Sequence, residues 1–163
     1  MLYHFSDHPD ITCFAPRPSR LGQPMVWTIA PDHAFLYLFP RDCPRILIWP
    51  KAHSSVVDQD IWLQGARRVA FVETRWMSRI RRATLYRYTL RDDAFRPLDD
   101  VGMYVADKAV RPTHMRVISG LPAALARADV ALQPLPTLAR LKRVWQTSLH
   151  ASGIRLKNAR DWH

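Results

Sequence analysis

The chain has 163 residues and a mass of 18.9 kDa, a size that fits one domain and excludes a multidomain protein. Its 48% hydrophobic and 23% charged residues are typical of a globular protein and exclude a disordered or collagen-like chain. Lysine and arginine outnumber aspartate and glutamate by 24 to 14, and the formal net charge of +10 favours anionic partners.

The first half of the chain predicts short strands separated by proline-rich breaks. The segment 15–24 has three prolines and a glycine and is predicted to be a loop. Short helices are predicted over 34–38 and 74–81, and residues 51–65 are predicted to be a loop with one helical turn. The predicted strands are 2–6, 25–30, 46–49 and 68–73, and 11–14 is predicted to be a further extended piece.

The second half predicts further strands and then two helices. An alanine-rich helix is predicted over 121–128 and a longer amphipathic helix over 135–150. About seven strands with three or four helices indicate a single α+β domain over 1–163, with a mainly antiparallel or mixed sheet. The strands predicted in this half are 83–90, 101–106 and 110–118, and a turn is predicted at 91–93 before the segment 95–98.

Several common sites and targeting segments are missing from the sequence. There is no glycine-rich phosphate loop, which excludes P-loop ATPases and Rossmann dehydrogenases. His4 and His8 are four residues apart but lack a third ligand nearby, so no metal site is predicted. Cys13 and Cys43 are predicted to be buried free thiols. No signal peptide or apolar run of membrane-spanning length is found, so we expect a cytoplasmic protein without a membrane partner.

The amino-terminal residues resemble a known fold. The strand Leu2-Tyr3-His4-Phe5-Ser6, the strand around Trp27 and the short helix with Tyr37 resemble the ADP-ribosyltransferase fold. The segment Gly102-Met103-Tyr104-Val105-Ala106 is similar to the strand of that fold's third motif. The resemblance implies a split β-sheet, a histidine that hydrogen-bonds the ribose of NAD, and an aromatic ring that packs on the nicotinamide.

Over nearly its whole length the chain is also similar to a small uncharacterised bacterial family. That family has a YHFS-type start, a tryptophan strand, a PRDCPR segment, a Tyr-Val strand and an arginine- and asparagine-containing carboxyl end. Here these pieces are residues 3–6, 26–30, 40–45, 104–105 and 154–159. The resemblance implies an architecture more directly than a reaction.

The resemblance to the transferases also implies catalytic residues. His4 and Tyr37 match the ribose-binding and nicotinamide-packing positions. The third motif commonly carries a glutamate that stabilises the developing cation at the ribose, as carboxylates do in glycoside hydrolysis. Here the stretch 106–109 reads Ala-Asp-Lys-Ala, so Asp107 is one candidate acid. Glu73, the only glutamate, is the other, and its alternative interpretation is a solvated acid at a strand end.

Arginines and aromatic residues complete the predicted nucleotide site. Arg41 and Arg45, held between two prolines, are predicted to grip a pyrophosphate, with Asp42 orienting one of them. The alternative is a local structural role in which Cys43 fills the core. The predicted cofactor-binding residues are His4, Ser6, Arg17, Trp27, Tyr37, Arg41, Arg45 and Tyr104.

Two functions are therefore predicted. The first is an ADP-ribosyltransferase-like protein that binds NAD or a related nucleotide and, if active, transfers ADP-ribose to an unknown acceptor. The alternative is a non-catalytic nucleotide- or nucleic-acid-binding module that uses its basic surface. The alternative explanation of the arginine excess, 20 Arg against 4 Lys, is a coding preference for arginine. The six tryptophans are assigned mostly to core packing. The predicted nucleic-acid footprint is Arg140, Lys142, Arg143, Arg155, Lys157 and Arg160.

Overall fold

A computed structural model describes residues 1–163 and contains strands, α-helices and 3₁₀ helices in mixed order. The strands are β1 (Leu2–Ser6), β2 (Val26–Ile29), β3 (Arg45–Trp49), β4 (Arg68–Glu73), β5 (Leu85–Leu90), β6 (Arg96–Pro97), β7 (Met103–Ala106), β8 (His114–Ile118), β9 (Val130–Leu135) and β10 (His150–Ile154). The α-helices are α1 (Val56–Trp62), α2 (Met77–Arg82) and α3 (Leu121–Arg127). The 3₁₀ helices are Pro31–Tyr37, Thr74–Trp76, Asp92–Ala94, Ala139–Gln146 and Leu156–Asn158.

The chain divides into two compact units, each assembled from two segments. Unit 1 consists of Met1–Leu38 and Thr84–Ser119, and unit 2 consists of Phe39–Ala83 and Gly120–His163. Unit 1 holds a wholly antiparallel sheet, whereas the sheet of unit 2 is mixed. The predicted α+β class with antiparallel and mixed sheets is confirmed. The assignment of 1–163 to a single domain stays a prediction.

Unit 1 is built on a six-stranded sheet in the order β6-β7-β2-β1-β5-β8. One face of the sheet carries a small core that includes Phe14, Tyr88 and Leu90. The Tyr88 hydroxyl donates to the carbonyl of His8 at 2.6 Å and accepts from the amide of Ile11 at 3.1 Å. This buried phenol therefore fastens the loop after β1 onto the sheet.

Unit 2 is built on a four-stranded sheet in the order β10-β3-β4-β9. Neighbouring strands are antiparallel except β4 and β9, which are parallel. A parallel pair needs a long crossover, and α2 and α3 lie within it in the chain. The 3₁₀ helix Ala139–Gln146 covers one face of the sheet, where Leu141 and Val144 pack with Ile46, Ile48 and Phe71.

The long helix predicted over 135–150 is wrong. Leu135 ends strand β9, His150 begins strand β10, and only residues 139–146 between them are helical. The buried residues Leu138, Leu141 and Val144 are spaced by three, which matches the three residues per turn of a 3₁₀ helix. Over so short a segment, this spacing is easily mistaken for one face of an α-helix.

Other predicted boundaries also change. Residues 11–14 do not form a strand, since only Phe14 pairs, in an isolated bridge with Val110. The strand predicted from 110 begins at His114, because Pro112 has no amide hydrogen to donate. The predicted loop 51–65 contains helix α1, whose start is capped by the Ser55 hydroxyl accepting from the amide of Asp58.

Candidate functional site

His4 is held in a fixed orientation within unit 1. Its side chain is half-buried, and its Nδ1 lies 2.8 Å from the carbonyl oxygen of Trp27. Because a carbonyl oxygen only accepts hydrogen bonds, Nδ1 carries the proton in this contact. The imidazole centroid lies 4.5 Å from that of Phe14, which in turn packs edge-on against Tyr88. The residue predicted to bind ribose is therefore an oriented imidazole packed among aromatic rings.

Tyr37 lies on the other face of the same sheet. Its ring stacks on Phe5 with centroids 6.4 Å apart, and its hydroxyl lies 3.5 Å from Sδ of Met103. Phe5 follows His4 directly in β1, so their side chains point to opposite faces. The structure therefore does not bring Tyr37 to His4, and the predicted pocket with both rings does not form. The resemblance assigned both residues by their positions along the chain, which carry no information on the face that Tyr37 occupies.

Two further predicted residues share the face of His4. Ser6 is two residues along β1 and is buried, with its hydroxyl accepting from the amide of His8 at 3.1 Å. Tyr104 is half-buried in β7 and pairs with Thr28 of β2, whose hydroxyl donates to the Tyr104 carbonyl at 3.1 Å. The sheet thus places a hydroxyl and a phenol on the side of His4.

The remaining predicted residues of unit 1 lie elsewhere. Trp27 is half-buried on the face of Tyr37, and the guanidinium of Arg20 lies 5.2 Å from its ring centroid. Arg17 is exposed, and its backbone forms a bridge with Met25. Asp107 is exposed directly after β7. These residues surround the sheet rather than lining one pocket with His4.

Glu73 is a buried carboxylate in unit 2, not a solvated acid. Its exposed fraction is 0%, and Nε and Nη2 of Arg75 donate to its Oε1 at 3.1 and 2.9 Å. The backbone amide of Arg160 donates to Oε2 at 2.9 Å, and Arg75 also donates to the carbonyl of Asn158. Glu73 therefore ties the carboxyl-terminal segment to the end of β4, a role that the interpretation as a solvated acid missed.

The PRDCPR segment separates its two arginines. Arg41 is exposed, whereas Arg45 is 2% exposed, donates to the carbonyl of Cys43 at 3.0 Å and lies 5.0 Å from the ring of Phe39. Burial raises the pKa of the Cys43 thiol to about 12, so the interpretation of Cys43 as a core side chain is confirmed. Cys13, predicted to be buried, is exposed.

The positive charge of the protein belongs to one unit. Unit 1 has eight Lys and Arg and eight Asp and Glu, so its formal charge is zero. Unit 2 has sixteen Lys and Arg and only six Asp and Glu, a net +10. A coding preference for arginine acts on both units alike and does not explain this difference. The excess of basic over acidic residues is therefore specific to unit 2.

Part of this charge lies on the 3₁₀ helix Ala139–Gln146. Side chains three residues apart are aligned in a 3₁₀ helix, so Arg140 and Arg143 form one exposed stripe and Lys142 and Trp145 form another. The Lys142 ammonium lies 5.1 Å from the ring centroid of Trp162, and the rings of Trp145 and Trp162 meet edge-on at 6.0 Å. The helix and the carboxyl-terminal segment therefore contact each other.

The carboxyl-terminal segment adds three exposed cations to the same part of unit 2. Arg155, Lys157 and Arg160 follow strand β10 in the chain. Their neighbours Leu156 and Trp162 pack against the hydrophobic core that the 3₁₀ helix covers. Residues 139–163 contain only one acid, Asp161. The C-terminal basic surface is defined by Arg140, Lys142, Arg143, Trp145, Arg155, Lys157, Arg160 and Trp162.

Comparison with known protein families identifies the chain. DUF6886, a family of unknown function, matches residues 3–159. The chain belongs to DUF6886. The prediction of an uncharacterised family spanning nearly the whole sequence is therefore confirmed. Neither the curated proteins nor the solved structures contain a match to this member of DUF6886.

Two features are absent from the structure of the DUF6886 chain. No group of three or more His, Cys, Asp or Glu side chains is arranged to hold a metal ion. None of the helices, of at most eight residues, has the length and apolar character needed to span a bilayer. The surface tryptophans were missed by assigning the tryptophans mostly to the core, although the spacing of Lys142 and Trp145 places them on one stripe.

Proposed function

We propose that this member of DUF6886 binds single-stranded nucleic acid through the C-terminal basic surface. The observation that carries the proposal is the contact between the 3₁₀ helix and the carboxyl-terminal segment, which gathers six cations and two tryptophans with a single acid. The neutral charge of unit 1 supports the same conclusion, since it makes a uniform compositional bias an insufficient explanation.

The chemistry of these side chains suits a flexible polyanion. Guanidinium groups donate paired hydrogen bonds to phosphate oxygens, and releasing condensed counterions makes such binding depend steeply on salt. Trp145 is 44% exposed beside the cations, and an indole face stacks on any unpaired base. Bases are available for stacking in single strands, so a single strand is the preferred partner.

Binding is tested by fluorescence anisotropy with labelled single-stranded and duplex oligonucleotides over a series of salt concentrations. The double variant Arg140→Gln/Arg143→Gln should bind more weakly and flatten the slope of log K against log salt by about 1.4, or about 0.7 for each lost phosphate contact. The matched control is Arg81→Gln/Arg82→Gln, which removes two exposed cations from α2 of the same unit. Equal effects in both double variants would contradict a localised surface.

Stacking is tested separately at Trp145. Trp145→Ala should weaken single-strand binding about tenfold with little change in the salt slope, since one stacked base contributes about 1–3 kcal/mol. Trp145→Phe keeps an aromatic face and should retain most of the affinity. Duplex binding as tight as single-strand binding, with no effect of Trp145→Ala, would reject the stacking model.

A second proposal is that His4 marks an NAD site with ADP-ribosyl chemistry. Support comes from the orientation of the imidazole, whose Nδ1 donates to the Trp27 carbonyl and whose neutral form therefore keeps its acceptor at Nε2. The resemblance to ADP-ribosyltransferases implies that a histidine on the first strand hydrogen-bonds the ribose of NAD. Loss of nicotinamide would leave positive charge on the ribose, which a carboxylate must stabilise.

NAD binding is measured by the shift in melting temperature, because a ligand at 100 times its Kd stabilises the folded state by about 2.7 kcal/mol. His4→Ala should remove the shift, and Phe14→Leu should preserve it if the imidazole itself contacts the ligand. Nicotinamide release is then followed in Asp107→Asn. A rate unchanged in this variant would reject transfer, and no melting shift with NAD would reject the site.

A further inference from the structure

Two arginines lie directly opposite each other at one edge of the sheet of unit 1. Arg87 in β5 pairs with Arg116 in β8, which is the outer strand. Directly paired residues of antiparallel strands point to the same face, with Cβ atoms about 5 Å apart. His114 lies two residues before Arg116 on that face and pairs with Thr89. Three basic side chains therefore share one small area of an otherwise neutral unit.

This arrangement brings like charges together without an acid between them. Neither Arg87 nor Arg116 forms an ion pair, although like charges directly opposite each other destabilise an antiparallel pair. The Arg87 guanidinium lies 4.2 Å from the ring centroid of Tyr3, and its Nε is buried without a hydrogen-bond partner. A buried donor without an acceptor costs free energy, so the surroundings leave the guanidinium of Arg87 incompletely satisfied.

We propose that Arg87 and Arg116, with His114 beside them, form a phosphate-binding site on unit 1. A phosphate oxyanion accepts paired hydrogen bonds from guanidinium groups, and its charge offsets the repulsion between the two arginines. Arg116 and His114 are exposed and Arg87 is half-buried, so the site is accessible at the outer strand. The site belongs to unit 1 and is independent of the C-terminal basic surface.

The first test titrates inorganic phosphate and a nucleoside 5′-monophosphate into the full-length protein by calorimetry. The buffer contains neither phosphate nor sulfate and has low ionic strength. We expect both probes to bind and to raise the melting temperature. Tighter binding of the monophosphate identifies a phosphate ester as the ligand, and equal affinity identifies free phosphate. No heat with either probe would overturn the site.

The second test distinguishes this site from other cations of the protein. Arg116→Thr should weaken phosphate binding about tenfold or more, because it removes charged hydrogen bonds. In the same buffer without phosphate or sulfate, the variant should melt at a higher temperature than the original protein, because the repulsion with Arg87 is gone. The matched control is Arg96→Thr, an exposed arginine of β6 at the opposite edge of the same sheet, which should change neither quantity.

A charge reversal provides an independent variant. Arg116→Glu places a carboxylate opposite Arg87 and should both raise the melting temperature and abolish the response to phosphate. Unchanged phosphate affinity in Arg116→Thr would overturn the proposal. Equal losses in Arg116→Thr and Arg96→Thr would also overturn it, since they would show only a general effect of net charge.

Discussion

Unit 1 and unit 2 differ in charge although both are organised around a sheet. Unit 1 balances eight basic with eight acidic residues, whereas unit 2 has sixteen basic and six acidic residues. Within the neutral unit, the like-charged pair Arg87 and Arg116 is a local exception. Within the basic unit, the cations of the C-terminal basic surface are part of a general excess. The comparison teaches that a whole-chain net charge conceals two different electrostatic environments.

The units also satisfy their buried polar groups in different ways. In unit 1 the neutral Tyr88 hydroxyl bridges the backbone of His8 and Ile11. In unit 2 the ionisable Glu73 receives hydrogen bonds from the side chain of Arg75 and the backbone of Arg160. A buried carboxylate is costly unless every partner is in place, so the loss of one partner is more costly at Glu73 than at the neutral Tyr88 hydroxyl.

The two cysteines offer the largest contrast, one in each unit. Cys13 of unit 1 is exposed, and Cys43 of unit 2 is buried, where desolvation raises the pKa of its thiol to about 12. Since the thiolate is the nucleophile and burial also shields Cys43 from the reagent, Cys13 should react with a disulfide reagent at about pH 8 about a hundredfold or more faster than Cys43. Stopped-flow absorbance should show one fast thiol per native chain and two in denaturant. Two fast native thiols would contradict the burial of Cys43.

Ion pairs provide the next contrast. Glu73→Gln replaces a fully buried carboxylate by a neutral amide and should destabilise the protein by about 3 kcal/mol, since the single amide oxygen cannot accept from both Arg75 and the Arg160 amide. Asp100→Asn breaks the Arg20–Asp100 pair of unit 1, which is shorter at 2.7 Å but exposed, and should cost at most about 0.5 kcal/mol. Urea denaturation measures both. Similar losses of stability in the two variants would show that burial does not determine how much these ion pairs contribute to the free energy of unfolding.

Glycine positions test backbone strain in unit 1. Gly102 has φ +71°, and a Cβ there would lie 2.7 Å from the Cβ of His33. Gly102→Ala combines backbone strain with overpacking and should cost about 2–4 kcal/mol. Gly22 has φ +81° but open space around it, so Gly22→Ala should cost only about 1 kcal/mol. If the two variants had equal thermal unfolding curves, steric overlap with His33 would not contribute to the cost of Gly102→Ala.

The elements that the sequence predicted well are those formed by local apolar patterns. Strands β1, β4 and β5 alternate or are densely apolar, and their predicted bounds agree with the structure to within about two residues. Strand β9 contains Pro134 and β10 contains Gly153, residues that disfavour strands. Both are outer strands, and each forms through pairing with a distant neighbour, so a local pattern could not reveal them.

The candidate sites were harder to predict for the same reason. The sequence predicted that His4 lies on the first strand, as the structure has it. The face of the sheet that Tyr37 occupies depends instead on how the 3₁₀ helix after β2 packs. The burial of Glu73 depends on the Arg160 amide, which lies 87 residues away in the chain. The pairing of Arg87 with Arg116 is a matter of register, which individual residues do not encode.

The smallest expected effect concerns two aspartates with lowered pKa values. The pKa of Asp58 in unit 2 is lowered first by the hydroxyl of Ser148 and then by its amide, which donate at 2.6 and 2.7 Å. The pKa of Asp92 in unit 1 is lowered first by its own amide and then by the amino terminus. Only Asp58 depends chiefly on a partner distant in sequence, so its pKa should differ most between folded and unfolded chains.

A carboxyl group whose pKa is depressed by folding stabilises the protein above its unfolded pKa and loses that contribution as the pH falls through its folded pKa. Ser148→Ala removes the hydroxyl donor, so the variant should be less stable near pH 7, and the difference from the original protein should vanish in strong acid. Urea midpoints across the acid range measure this, and NMR titration of the Asp58 carboxyl carbon should show its pKa rise. Asp60→Asn, which removes an exposed acid of the same helix, is the control and should leave the Asp58 titration unchanged. A constant stability difference at every pH would mean that Ser148 acts through packing and not through the Asp58 charge.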